Sequence, residues 1–199
     1  KLRLPYSLVA LRHAKAPVIS RHQFVQIYRE CVTLLSNHAN RERDLPPMSK
    51  DEVDMLCYCV INCENLEQVI ERATKFCRML GDRAAKLSLE SSGGEAVFQM
   101  ETQRLSHSTS GLLTDLTGLS FYHRLFSWLI GLPIPIKGYG VTYENRSNCE
   151  TLLRLFHQHI LFAQPVNYFS FPAEFLDKPV VRSYRRLEEL LSVFAFDLS

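Results

Sequence analysis

Apolar side chains recur at helical spacing in three stretches of the first 80 residues, with a capping residue before each. Ser20 with Gln23 and Ser49 with Glu52 have the spacing of capping boxes, in which a hydroxyl and a carboxyl or amide side chain satisfy free backbone N–H groups. Asn65 precedes the third stripe as a helix cap. The pattern predicts three helices, the first from Ser20 to about Ser36 and the second to about Asn62, within a helical subregion spanning 17–80.

The periodicity changes from helical to alternating after Gly81. Leu87 and Leu89 alternate with polar residues, as do Ala96, Phe98 and Met100 on the other side of Gly93-Gly94. Alternating strands around a short glycine-containing turn are typical of a β-hairpin.

A long apolar helix follows the hairpin, from about Gly111 to Ile130, and the Gly131-Leu132-Pro133 sequence ends it. Gly118 lies near its middle and lowers helix stability by about 1 kcal/mol relative to alanine. We therefore expect either a bend at Gly118 or a side chain packed very close to it.

The segment from Lys137 to Pro179 predicts a strand, a short helix capped by Ser147, and then a hairpin of strands His159–Ala163 and Val166–Phe171. On the first strand, Tyr139, Val141 and Tyr143 alternate toward one face. Gly138 and Gly140 lie on the opposite face, where their small size would admit another backbone, a ligand or a packed helix.

The predicted element order is ααα-ββ-α-β-α-ββ-α, which indicates an α+β fold with one small, mainly antiparallel sheet and helices packed on one side. We interpret residues 1–199 as one domain. It comprises the helical subregion 17–80, a sheet-containing subregion 84–179 and a C-terminal helix 183–195 capped by Ser183.

Composition and charge narrow the class of protein. With 23 basic and 21 acidic residues interspersed, the net charge is +2, which does not favour a nucleic-acid-binding surface on this part of the chain. Five of the six cysteines fall on apolar faces of predicted helices, as buried thiols in a reducing compartment do. No apolar run is long enough to span a bilayer and no leader is recognisable, so we expect a cytoplasmic protein without a membrane partner.

No motif predicts a metal site, a cofactor site or catalytic residues. Cys57, Cys59 and Cys63 lack the spacing of a zinc site, and His157 with His159 has no nearby third ligand. The nucleophile elbow, phosphate loop, zinc-protease and dinucleotide motifs are all missing from the sequence. Asp115 lies near the start of an apolar helix, where compensation of the helix dipole explains it without catalysis.

Several stretches together resemble one known family. They are Pro17-Val18-Ile19 before the first helix, the two capped helices within MSKDEVDMLCYCVINCENLEQVIERATKFCRML, the hairpin AKLSLESSGGEAVFQM, and LLRLFHQHILFAQPVNYFSFPAEFLDKPVV. The last stretch carries most of the resemblance, through Phe156, Phe162, Pro165, Asn167, Phe171, Pro172, Leu176, Asp177 and Pro179. The chain is similar to the N-terminal, arabinose-binding-type effector domain of AraC/XylS-family bacterial transcription regulators, in particular the ornithine-utilisation-regulator subfamily.

The resemblance implies a domain that senses a small-molecule effector and, as is often the case in the family, forms a homodimer, while a C-terminal pair of helix-turn-helix motifs binds DNA. We expect that DNA-binding domain after residue 199, so that this chain would contact DNA only through it. Where family members often carry glycine and Cys-Pro, this chain has His157-Gln158-His159, and a ligand role at that corner is not carried over.

For the effector pocket, the sequence favours the seam between the long helix and the Lys137–Pro179 segment. Aromatic rings with a few polar tips are typical of small-molecule pockets. The candidate residues are His123, Trp128, Tyr139, Tyr143 and Phe169.

Two alternatives remain open at this point. One is a small α+β enzyme, which requires an acid/base pair or a nucleophile in a cleft. The other is a dimerisation domain without a ligand, in which the helix from Tyr184 to Phe194 would form the contact.

Overall fold

The computed structural model describes residues 48–102, 104, 108–145 and 158–193, together with isolated positions between 20 and 37. Those isolated positions are helical from Gln23 to Asn37 wherever they are described. The backbone N–H of Ser20 donates to Gln23 Oε1 at 2.9 Å, and the N–H of Gln23 donates to Ser20 Oγ at 3.2 Å, which confirms the first capping box.

Two capped helices follow, as predicted. Helix α1, Lys50–Val60, starts at a capping box of Ser49 and Glu52, and helix α2, Leu66–Met79, is capped by the side chain of Asn65. The faces that carry Leu56, Val60, Val69 and Ile70 are fully buried. A 3₁₀ turn, Gly81–Arg83, then leads into the sheet.

Strands β1, Lys86–Ser92, and β2, Glu95–Glu101, form the predicted hairpin. They pair antiparallel from Lys86↔Glu101 to Ser92↔Glu95, which leaves Gly93 and Gly94 as the two turn residues. Both glycines have positive φ, 60° and 82°, as the favoured two-residue hairpin turn requires.

Helix α3, Thr109–Ile130, is the long apolar helix, capped by Ser108 and ended by Gly131 at a φ of 70°. Of the two explanations for Gly118, close packing is the one observed. A Cβ built at that position would lie 3.1 Å from Met100 Sδ on β2.

The remaining strands are β3, Tyr139–Gly140, β4, Ile160–Leu161, and β5, Asn167–Pro172. The five strands form one sheet in the order β1-β2-β5-β3-β4, antiparallel except for the β3–β4 pair. Because helices pack around this sheet, the predicted α+β class is confirmed.

The predicted hairpin between the last two strands is wrong, because β3 lies between β4 and β5. Tyr139 N donates to His159 O and Val141 N to Leu161 O, both at 2.8 Å, so β4 runs parallel to β3. The chain then crosses to the other side of β3 and pairs β5 with it in the opposite direction.

Gly138, immediately before β3, and Gly140, within it, make this insertion possible. A Cβ on Gly138 would lie 2.3 Å from the carbonyl oxygen of His159, and one on Gly140 would lie 2.1 Å from the ring of Tyr168. The close approach predicted for them is therefore made by a neighbouring backbone and by an aromatic ring of β5.

After a 3₁₀ turn, Ala173–Phe175, a strap from Leu176 to Arg182 runs past the start of α2 and the end of α3. Helix α4, Tyr184–Val193, follows, and Arg186 N donates to Ser183 Oγ at 3.4 Å as the predicted cap. Leu187 is fully buried, and the ring of Tyr184 stacks on Tyr58 of α1. The predicted short helix after Ser147 lies outside the described residues.

Of the cysteines, Cys57, Cys63 and Cys77 are buried, Cys59 is half-buried and Cys31 is exposed, so Cys31 departs from the prediction of a buried thiol. All five are free. Cys149 lies outside the described residues. Within the described part of the chain, no helix combines the length and apolar character needed to cross a membrane.

Candidate functional site

Helix α3 and the core face of the sheet meet along one seam, which carries polar as well as apolar side chains. Asp115 and His123 lie eight residues apart on α3, or about 12 Å along its axis. Tyr139 and Tyr143 lie four residues apart, a stretch of chain that can span at most about 13 Å. Because these two distances are similar, Tyr143 lies beside Asp115 and Tyr139 lies beside His123.

The first polar group, which we name the Asp115 cluster, consists of Thr102, Arg104, Asp115, Tyr143 and Asn167. Asp115 is fully buried. Its carboxylate accepts hydrogen bonds from Tyr143 Oη at 2.7 Å, Thr102 Oγ1 at 2.8 Å and Asn167 Nδ2 at 3.1 Å, and it pairs with the guanidinium of Arg104. The buried charge is thus both neutralised and hydrogen-bonded, as burial of a carboxylate requires.

The members of the Asp115 cluster come from four segments, of which α3 supplies Asp115. Thr102 and Arg104 follow β2, Tyr143 follows β3, and Asn167 opens β5. The amide of Asn167 also accepts the backbone N–H of Thr142 at 3.0 Å, which holds the chain after β3 in place. The cluster therefore joins α3 to three segments of the sheet subregion.

Gly111 allows Tyr143 to reach the carboxylate. A Cβ at position 111 would lie 2.8 Å from Tyr143 Oη. Since any larger residue would meet the hydroxyl, the glycine one turn before Asp115 is part of the geometry of the Asp115 cluster.

The predicted explanation of Asp115 by the helix dipole is wrong. Asp115 is the seventh residue of α3, beyond the first turn in which the dipole acts. It shares the buried face of the helix with Leu112, Leu116 and Leu119. A carboxylate in such a stripe needs cationic and hydrogen-bonding partners, and that requirement is the sequence signal that could have pointed to Arg104, Tyr143 and Asn167.

The second polar group joins His123 to Tyr139. His123 Nε2 lies 2.8 Å from the carbonyl oxygen of Ile134, which can only accept, so Nε2 carries the proton. Burial lowers the pKa of His123 below its usual value, which favours the neutral ring. Its Nδ1 then accepts the hydroxyl of Tyr139 at 3.1 Å. Burial also raises the pKa of Tyr139, so this hydroxyl remains a donor.

Phe169 of β5 packs between these elements. Its ring centroid lies 5.5 Å from that of His123 and 6.2 Å from that of Tyr139, and it also contacts Phe98 at 5.1 Å. Between the two polar groups, Leu119 and Val141 are fully buried. The seam thus has polar groups at both ends and an apolar middle.

Trp128, five residues beyond His123 and therefore on another face of α3, contacts the strap. Its carbonyl accepts a hydrogen bond from Arg182 Nε at 2.8 Å, and the guanidinium carbon of Arg182 lies 5.5 Å from the centroid of the indole ring. The neighbouring Leu129 carbonyl accepts the N–H of Val181 at 2.9 Å. These contacts fasten the end of α3 to the segment before α4.

Of the five predicted pocket residues, the structure therefore brings His123, Tyr139 and Phe169 into contact with one another. It places Tyr143 in the Asp115 cluster and Trp128 against Arg182. Among the described residues, no group of three or more His, Cys, Asp or Glu side chains is arranged to hold a metal ion.

Comparison with known proteins gives one family. Residues 8–180 match the model described as the arabinose-binding domain of AraC transcription regulator, N-term. No curated protein matches the chain.

Proposed function

The chain belongs to the arabinose-binding, N-terminal domain family of AraC transcription regulators, and on that premise we propose that it binds a small-molecule effector in the seam between α3 and β3. The family is a ligand-sensing regulatory one. A DNA-binding domain following α4 would read the bound and free states of this domain and so control transcription.

The observation that supports this location is the set of buried polar groups within the seam. A buried ion pair such as Arg104–Asp115 contributes little net stability, because its desolvation offsets the attraction. An apolar seam of the same volume would hold α3 on the sheet equally well. A polar pair in this seam that could exchange its hydrogen bond for bonds to a ligand therefore supports an effector site, and His123–Tyr139 is such a pair.

We propose that the effector acts at the His123 end of the seam. Tyr139, His123 and Phe169 would form its wall, with the phenol and the imidazole as hydrogen-bonding groups and the phenylalanine ring as an apolar surface. Tyr143 would hold the other end closed through Asp115. Trp128 would connect the site with the strap that leads to α4.

In this mechanism the effector selects between two positions of β3 relative to α3. A polar molecule that replaces the His123–Tyr139 hydrogen bond binds the state in which those side chains are apart, and the population shifts toward that state. The shift is limited by the difference in the effector's affinity for the two states.

The test is a thermal-shift panel of sugars, including arabinose, amino acids and organic acids, followed by calorimetry for any compound that raises Tm. Tyr139→Phe removes only the hydroxyl and should weaken effector binding about tenfold, the worth of one hydrogen bond. The matched control is Tyr168→Phe, whose hydroxyl lies 3.4 Å from Gln164 on the opposite face of the sheet. A panel without any binder, or a Tyr139→Phe protein that binds as tightly as the parent, would refute the site.

We also propose that the domain forms a homodimer, because no described residue pairs with the outer side of β1, at one edge of its sheet. Sedimentation of the chain at increasing concentration tests this separately from effector binding.

A further inference from the structure

Strand β1 forms one edge of the sheet. It pairs with β2 over all seven residues, without a bulge or a proline, and no described residue pairs with its other side. An edge of this kind presents a row of unpaired backbone N–H and C=O groups, which another strand can bind.

The register of the hairpin shows which groups face outward. In an antiparallel pair, residues alternate between exchanging backbone hydrogen bonds with the partner strand and pointing away from it. The Ser92↔Glu95 pair closes the two-residue turn and is hydrogen-bonded, so Glu90, Ser88 and Lys86 also bond to β2. Leu87 and Leu89 consequently direct their N–H and C=O groups toward the open edge.

The side chains of β1 form a self-complementary pattern, Lys86-Leu87-Ser88-Leu89-Glu90. A second copy related by a two-fold axis at Ser88 places Lys86 opposite the second copy's Glu90, and Glu90 opposite its Lys86. Leu87 and Leu89 face each other across the axis on the core side. Opposite charges and apolar pairs at such positions each stabilise strand pairing.

Other two-fold registers lack this match. An axis at Leu87 places Lys86 opposite Ser88 and Glu90 opposite Ala84, while an axis at Glu90 or at Lys86 places like charges together. Of these registers, the one centred on Ser88 places opposite charges together, whereas those centred on Lys86 and Glu90 place like charges together, which hinders pairing.

Leu89 supplies a second observation. The other inward-facing residues of the hairpin, Leu87, Ala96, Phe98 and Met100, are buried, whereas Leu89 is only half-buried. In the register centred on Ser88, Leu87 of the second copy covers it. The half-exposed side chain of Leu89 and the charge pattern of β1 thus both indicate a second copy of this chain as the partner.

We propose that two copies of this chain pair antiparallel through β1, centred on Ser88, to form one continuous ten-stranded sheet. This inference rests on the dimerisation part of the proposed function and specifies its interface. The effector seam, on the core side of β3, is left free by it.

The test exchanges charges across the proposed axis. Glu90→Lys places lysine opposite Lys86 twice, and it should raise the dissociation constant of the dimer about tenfold or more. Lys86→Glu should do the same with glutamates. An equimolar mixture of the two variants should recover the dimer, because every cross-axis pair is again of opposite charge, and the double variant Lys86→Glu/Glu90→Lys should dimerise like the parent.

Sedimentation velocity measures each sample, and Glu174→Lys, the same charge change on another exposed residue, is the control. Folding should be retained, since the intrachain Lys86–Glu101 ion pair lost in one variant is 3.7 Å long and exposed. A parent that stays monomeric overturns the dimer itself. A dimer that tolerates both single changes, or that the mixture does not restore, overturns the β1 interface and leaves dimerisation intact.

Discussion

Gly111 is needed because it has no side chain, and not because of its backbone conformation. The ring and hydroxyl of Tyr143 occupy the space where a Cβ would be, and this position lets the hydroxyl bond Asp115. Gly118 lies on the same helix but faces the flexible end of Met100.

We therefore expect Gly111→Ala and Gly118→Ala to differ, although both remove a helical glycine. Gly111→Ala should lower the free energy of unfolding by about 2 kcal/mol, because it separates a phenol from a buried carboxylate. Gly118→Ala should change it by less than about 1 kcal/mol, because the gain in helix propensity offsets a small shift of Met100. Urea unfolding of both variants measures the difference.

Repeating Gly111→Ala in a Tyr143→Phe protein tests whether the loss of stability comes from the Tyr143–Asp115 hydrogen bond. In Tyr143→Phe the hydrogen bond is already missing, so adding Gly111→Ala should cost less than it does in the parent. An equal loss of unfolding free energy in both proteins would show that Gly111 is not required for the Tyr143–Asp115 hydrogen bond.

His123 gives the protein a pH dependence with a definite sign. Burial holds its pKa in the folded state below the value in the unfolded chain, so the unfolded chain binds the proton more readily. Its contribution to stability is complete above the unfolded pKa, about 6.5. It decreases as the pH falls from there through the folded pKa.

The measurement is the free energy of unfolding between pH 5 and pH 8 for the parent and for His123→Gln. Other groups titrate in both proteins, so the difference between the two curves isolates His123. The parent should lose more stability than the variant below about pH 6.5. Parallel curves would contradict a buried, neutral histidine.

At the residue scale, the aromatic part of the seam was predictable and the charged part was not. Tyr139 and Tyr143 alternate along a recognisable strand, and period-2 reasoning places them on the core face. The partners of Asp115 lie up to 52 residues away in the sequence, and only tertiary pairing joins Asp115 to Asn167. Local patterns do not contain such contacts.

At the scale of elements, capped helices were predicted well because a cap is a local signal. Ser20, Ser49, Asn65 and Ser183 all cap as predicted. The error concerned β4 and β5, which are close in sequence but separated by β3 in the sheet. Strand order depends on packing across the whole sheet, and short apolar strands joined by a turn do not specify it.

Among the elements, α4 is joined to the end of α3 by the strap, in which Arg182 makes two contacts with Trp128. Arg182 donates to the carbonyl of Trp128 and lies over its indole, immediately before α4 begins. Arg182→Ala should therefore accelerate amide hydrogen exchange in Tyr184–Val193 while lowering global stability by only about 1 kcal/mol.

Arg185→Ala is the control, because Arg185 is exposed and pairs only with Glu189 within its own helix among the described residues. If exchange in α4 is unchanged by Arg182→Ala, the strap does not hold α4 on α3. Equal acceleration by both variants would indicate local fraying of the helix instead.

At the scale of the whole molecule, α3 is the element that links the proposed sites. One side of it carries the seam, its end contacts the strap before α4, and Gly118 packs on β2, the strand next to the open edge. In the proposed mechanism, a change in the seam would reach both α4 and the β1 edge through this one helix.

The Asp115 cluster also constrains how this sequence can change over evolutionary time. Its other members neutralise and hydrogen-bond Asp115, so replacing Asp115 alone leaves Arg104 as an uncompensated, largely buried cation, and replacing Arg104 alone leaves a buried anion. Neutral drift at these positions must therefore proceed in coordinated steps. We expect homologous chains either to keep all five residues of the Asp115 cluster together with Gly111, or to have apolar residues at all of these positions.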